Sequence, residues 1–177
     1  MRIRNYRQVD VHTLNELLRL SAVTDEFEVK DMLDVDAWLV DPGQEAVNKV
    51  FVVTDDDDSN EWGQGGTLEG VEGEIVGFTA VVMHEDAQAY HFLCRGTVHP
   101  QFRRRNAGRA LLICALNHAR SVSAEFEFEA EEEGRHIFLE ALLPLRDLAS
   151  ASLAEKCDMQ MTDESMVNGM KLYRREL

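Results

Sequence analysis

The chain reads as one domain of α/β (α+β) class, on three observations. Its 177 residues are 45% hydrophobic, enough to bury a core without disulfides or a structural metal. Short β-branched runs alternate with segments whose apolar residues recur at helical spacing. No internal repeat and no second unit is evident, so a single domain over residues 1–177 is expected.

The elements follow in order. "RIRNY" alternates as a short strand, and Asp10 is placed to cap a helix carrying Val11, Leu14, Leu17 and Leu18 on one face. "TDEFEVKDMLDVDAWLVDPG" predicts a second helix, with Asp25 and Glu28 at its start, Val29, Leu33 and Trp38 on its apolar face, and Pro42-Gly43 as its stop. "KVFVVT" is a strand. The acids and glycines that follow it, to Gly73, cannot build a core and predict a long mobile hairpin loop. "EIVGFTAVVMHED" and "AYHFLCRGTVHP" are two further strands, and "AGRALLICALNHAR" turns helical from Asn106.

Next, "AEFEFEAEEE" alternates with period two, which predicts a strand that turns Phe126 and Phe128 to the core and Glu125, Glu127 and Glu129 to the other side. A helical stretch is expected from about Arg135, broken at Pro144 and resumed through "RDLASASLAEKC". A short strand near Met159 and a last strand in "MKLYRREL" complete the chain.

The charge excludes some functions. There are 18 Lys plus Arg against 33 Asp plus Glu, a formal charge of -15. Ten acids and no further Lys or Arg lie between Lys49 and Arg95, and six more acids lie between Arg120 and Arg135. A field of that sign repels nucleic acid and favours a cationic partner, although a solvated surface accounts for most of it. No run approaches the ~20 apolar residues of a membrane span, and the start "MRIRNYRQVD" lacks the apolar core of a secretory signal, so a cytoplasmic protein is expected. Cys94, Cys114 and Cys157 are odd in number and far apart, which points to packing thiols, with no zinc site and no other metal expected.

Against that background Arg103, Arg104, Arg105 and Arg109 fall within seven positions. They sit between the strand ending in "TVHP" and an amphipathic helix, and that arrangement describes an anion site. The first amides of a helix lack internal partners, and the helix dipole adds partial positive charge. Neighbouring arginines add charge-assisted bonds of roughly 1.5–3 kcal/mol each. Gly108 lets a phosphate approach the backbone, and Asn106 is among the few residues that tolerate positive φ in such a loop. Other phosphate and metal motifs fail on spacing. The chain has no Gly-Lys pair for a P-loop, its glycines do not form GxGxxG between strand and helix, and "DDDDSNEW" lacks the Gly of a calcium loop.

"TVHPQFRRRNAGRALL" resembles the acyl-CoA signature of the GNAT superfamily of N-acetyltransferases, in which a strand ending in Val-x-Pro leads into an (Arg/Gln)-x-x-Gly-x-(Gly/Ala) loop and a helix. Arg103 matches the leading Arg, Gly108 the last small residue, and Asn106 stands where a Gly is expected. The order of elements from Arg2 to Arg120 fits as well. The resemblance implies a mixed, mostly antiparallel sheet flanked by helices, with a V-shaped opening between the fourth and fifth strands. It implies acetyl-CoA as co-substrate, with its pyrophosphate on the amides from Arg104 through Arg105, Asn106, Ala107 and Gly108 to Arg109, and its pantetheine arm along Thr97 and Val98.

The same resemblance implies transfer of an acetyl group to an amine. A lysine-like amine of pKa ~10.4 must lose a proton before attack, so a base is needed. His84, Glu85, His91, Glu127 and Glu129 are candidates, with Glu85, Glu127 and His91 ranked first. The family's leaving thiolate is usually protonated by a Tyr on the helix after the fifth strand. The closest run here, "LAEKCDM", has Ala154 at that place, and aligning "FLEALLP" instead puts Phe138 near it. Cys157 is a substitute donor, and loss of the acid slows such a reaction without forbidding it. Two readings therefore stand: an N-acetyltransferase for a small-molecule amine or basic peptide, or a catalytically impaired relative that binds acyl-CoA or serves as an interaction module. GNAT-like domains often dimerise, which leaves a homodimer open.

Overall fold

The computed structural model describes residues 1–27, 49–55, 73–162 and 169–177. Its strands are β1 (Arg2–Asn5), β2 (Lys49–Asp55), β3 (Glu74–Glu85), β4 (Ala89–Val98), β5 (His136–Pro144), β6 (Gln160–Met161) and β7 (Met170–Glu176). The helices are α1 (Val11–Asp25), α2 (Ala107–Ser123), α3 (Glu127–Glu133) and α4 (Leu148–Lys156). The expected helix carrying Val29, Leu33 and Trp38 lies outside the described residues, as does most of the acidic loop after Asp55.

The strands form one sheet in the order β1-β2-β3-β4-β5-β7-β6. Every neighbouring pair is antiparallel except β4 and β5, which run parallel. Period-two alternation divides the side chains between two faces. On one face Leu14, Leu17 and Leu18 of α1 pack on Val50, Val52, Phe78 and Ala80. On the other, Ala115 and Ala119 of α2 and Ala154 of α4 pack on Phe92, Leu139 and Tyr173. Each fully buried Leu or Phe contributes on the order of 1.5–3 kcal/mol, so both layers are needed to hold the sheet.

Asp10 stands at the N-cap position of α1, as expected, but its side chain does another job. It takes two bonds from the Arg4 guanidinium, at 2.7 and 2.9 Å, and one from the Arg7 amide at 2.7 Å. The Arg4 bonds hold the Asp10 carboxyl below the usual carboxylate range. That pairing ties β1 to the start of α1.

Two expectations are corrected. Residues 124–133 are not the fifth strand: Glu127–Glu133 is helical, closed by Gly134 at φ 66°. The fifth strand is His136–Pro144, where a helix was expected. The physical reason is position. A strand between β4 and β7 is covered on both faces, so "HIFLEALLP" fits there, whereas the alternating glutamates of "EFEFEAEEE" would bury one charged face. Glutamate is also a good helix former. Consequently Phe128 is 72% exposed instead of facing the core. Pro144 ends a strand rather than interrupting a helix. The strand near Met159, the last strand and the helix after Arg146 occur as expected, with the Asp147 carboxylate accepting the Ala149 and Ser150 amides at the start of α4.

Candidate active site

The site begins where β4 and β5 separate. Their parallel register runs from Ala89–His136 to Cys94–Ala141 and stops there. Beyond that point β4 continues to Val98 on β3, and β5 continues to Pro144 on β7. The facing edges of Arg95–Val98 and Leu142–Pro144 therefore do not pair with each other, which is the V-shaped opening expected. Unpaired backbone at such an edge can accept an extended, amide-bearing ligand as a short extra strand.

The loop after β4 is locked from both ends. His99 donates its amide to Val76 O at 2.8 Å, and Phe102 donates back to His99 O at 2.8 Å. Arg103 donates from Nε to Val98 O at 3.1 Å, and its two terminal nitrogens clasp Asp25, the last residue of α1, at 2.7 and 2.6 Å. These bonds raise the Arg103 pKa further. Arg103 thus shapes the loop with its side chain. Asn106 adopts φ 68°, the left-handed conformation its residue type tolerates, and Arg104 does so too at φ 67°.

The helix then starts. Its first internal bond is Ala110 N–H to Asn106 O, so the amides of Ala107, Gly108 and Arg109 have no partner within α2. The Ala107 methyl is buried with Val53, Val76 and Leu111, leaving only its backbone for a ligand. A Cβ added at Gly108 would lie 3.7 Å from Leu153 and 3.8 Å from Val98, in the gap between α4 and the end of β4. Arg104 and Arg109 are exposed and make no hydrogen bond or ion pair among the described residues. Arg105 lies 3.6 Å from Asp55 and stacks over Phe102. Unpaired amides, two uncommitted guanidinium groups and a small residue at the mouth are the donor set a pyrophosphate requires. Thr97 donates to Ser21 Oγ at 2.6 Å, which docks this end of β4 on α1, and the Val98 side chain packs on the α2 side.

The base candidates scatter. His91 is buried on the α1 side of the sheet, its Nδ1 3.1 Å from Glu140 Oε1 and its Nε2 3.2 Å from Asp86 Oδ2. His84 stacks on it, ring centroids 4.7 Å apart. Glu85 is exposed and paired with Arg135 at 2.8 Å. Glu127 and Glu129 are exposed on α3 and not on a strand of the cleft. Sequence reasoning missed Glu140, 3% exposed, which also takes Arg174 Nε at 2.7 Å. The available signal was a single acid inside the apolar run "IFLEALL": in a central strand such a group must be buried and partnered.

Ala154, the position where the resemblance leads one to expect a Tyr, is 1% exposed. Tyr173 enters the same apolar cluster from β7. Cys157 is half-buried at the end of α4. Cys94, at the fork, donates its thiol to Glu140 O at 2.9 Å, and burial pushes its pKa up to about 12. A neutral-pH thiol reagent should therefore leave Cys94 unmodified in the native protein and reach it only after denaturation. Mass mapping of the labelled peptides checks this; native labelling of Cys94 would contradict its burial.

The sequence profile of the Acetyltransferase (GNAT) family matches residues 30–141. The chain belongs to that family, whose co-substrate is acetyl-CoA. Among solved structures, yncA from Salmonella typhimurium, determined with its cofactor acetyl-CoA, has a TM-score of 0.63 and 18% identity, covering 99% of this chain and 93% of its own. A GNAT acetyltransferase from Streptococcus pneumoniae gives 0.62 and 13%, covering 99% of each chain. A ribosomal-protein-alanine N-acetyltransferase from Brucella melitensis gives 0.56 and 17%, covering 100% of each. These likenesses concern the fold. A search of curated proteins finds no match. No helix among the described residues is long and apolar enough to cross a membrane.

Proposed function

We propose that the protein is a cytoplasmic N-acetyltransferase that moves an acetyl group from acetyl-CoA to a primary amine, carried by a small molecule or a basic peptide. The observation that carries this reading is the loop and helix start at Arg103–Arg109, together with the splayed β4 and β5 edges that lead away from it. Arg104 and Arg109 and the amides of Ala107 to Arg109 hold the pyrophosphate. The Arg95–Val98 edge orients the arm, with Thr97 fixed on Ser21. Bound acetyl-CoA supplies the activated acyl thioester.

The chain's own groups must then take the amine's proton. Glu140 is one residue from the last β4–β5 pair at Ala141, and His91 Nδ1 is 3.1 Å from it, which supports these two as acceptors of the proton of an amine entering on the α1 side. Glu85 and Glu127 stand further out on the surface.

A thermal-shift titration with acetyl-CoA tests the reading. The parent protein should be stabilised, by about 2.7 kcal/mol at a hundredfold excess over Kd. The Arg104→Glu, Gly108→Trp double variant should lose that shift, because the first reverses an uncommitted charge and the second fills the gap between Val98 and Leu153. An unstabilised parent protein sinks the proposal. Stabilisation without thiol release from a panel of amines would instead leave an acyl-CoA-binding module.

A further inference from the structure

We propose that His84, His91 and Glu140 form a binding site for one divalent cation of the zinc class on the α1 side of the sheet. One ligand atom from each lies within 4.8 Å of the other two. His91 Nδ1 already lies 3.1 Å from Oε1 of the Glu140 carboxylate, whose other oxygen is the one left for the ion. The residues come from three adjacent strands, and the register sets their approach. His84 stands directly across from His91 on β3 and β4, and His91 across from Phe138, two residues before Glu140 on β5.

Behind these ligands stands a second layer of contacts. His91 Nε2 faces Asp86 Oδ2 at 3.2 Å, the carboxylate–histidine arrangement that fixes the tautomer of a ligating imidazole and leaves Nδ1 to the ion. Asp86 is itself held by the amides of Gln88 and Ala89 at 2.7 and 2.9 Å. On Glu140, His91 and Arg174 both make their contacts to Oε1. Oε2 has no hydrogen-bond partner among the described residues and is left for a cation. The guanidinium on Oε1 then plays the part of Asp86 on the other ligand. His84 is exposed, and its ring nitrogens make no hydrogen bond among the described residues, so the ring can close the remaining distance by a χ rotation. Two imidazoles and one carboxylate suit Zn²⁺ or Co²⁺ better than Mg²⁺ or Ca²⁺, which favour all-oxygen shells.

The site overlaps the groups assigned above to proton acceptance, so under that reading a bound ion would block the amine. Binding itself does not depend on that reading. The test uses tag-free full-length protein titrated with Co²⁺. One ion per chain should produce the visible absorption of a low-symmetry, four-coordinate Co²⁺ centre, and Zn²⁺ should bleach it. Asp86→Asn, which keeps an acceptor for the two amides, should weaken binding about 10–100-fold. His84→Ala and Glu140→Gln should abolish the band. His84→Ala decides the matter because its side chain is exposed, with the fold verified by circular dichroism. No band in the parent protein, or a band that survives His84→Ala, overturns the site. Neither result bears on the acetyl-CoA thermal shift, which reads the loop at Arg103–Arg109.

Discussion

Asp25→Ala should unfold about 4–12 °C below the parent and bind acetyl-CoA at least about tenfold more weakly. Removing one partner of a fully buried ion pair costs about 3–5 kcal/mol, and the 24% exposure of the Arg103 side chain lowers this to about 2–3. For a chain of this size each kcal/mol shifts Tm by about 2–4 °C. The affinity loss has a separate origin. Arg104 and Asn106 sit at φ 67° and 68°, and for non-glycine residues such conformations cost on the order of 1–3 kcal/mol each and persist only where the surroundings hold them. Much of that hold is Arg103, bound at once to Val98 O and to Asp25. Without Asp25 the amides of the cradle lose their preset direction. Arg103→Ala should behave alike, and the double variant should be little worse than either single one. Calorimetry and a thermal-shift titration measure both effects, and strictly additive losses would show that the two residues act separately.

Gly96→Val should yield no folded protein, and Gly96→Ala should lose more than about 4 kcal/mol. A Cβ at Gly96 would lie 2.1 Å from Phe78 O and 2.7 Å from Thr79 Cα, both backbone atoms of the neighbouring strand. Nothing there is a flexible side-chain end that could swing away, so β3 and β4 would have to part. The same pair of strands is close at Gly77, whose added Cβ would be 2.9 Å from Thr97 O. This close approach holds the outer end of β4, from which the V opens. Urea unfolding followed by far-UV circular dichroism gives the measurement, and a Gly96→Ala protein within about 1 kcal/mol of the parent would refute the argument.

Most of the order of elements was legible, and the two failures share one cause. "AEFEFEAEEE" has the period of a strand, and "HIFLEALL" has apolar residues that also suit a helix face. Periodicity describes a segment's own faces and carries no information on how many layers cover it. Only the place between β4 and β7 decides that both faces are covered, so that an acid there, Glu140, has to be partnered. Glu127 and Glu129 accordingly lie on α3, and the acid that the fifth strand carries is Glu140.

The sequence by itself determined the conformation of the Arg103–Arg109 loop. Its strand end, its positive-φ Asn106, its Gly108 and the helix that follows are contiguous, and their geometry depends on backbone preferences local to a few residues. Tertiary structure alone decided what the side chains do. Arg103, read as a cofactor ligand, clasps Asp25 across 78 residues of chain, while Arg104 and Arg109 have no partner among the described residues. His91 and Glu140, 49 residues apart, meet because the β4–β5 register brings them together. Charged side chains take whichever partner the fold presents at hydrogen-bonding distance, and that choice is made by strand order and register, which no local stretch of sequence contains.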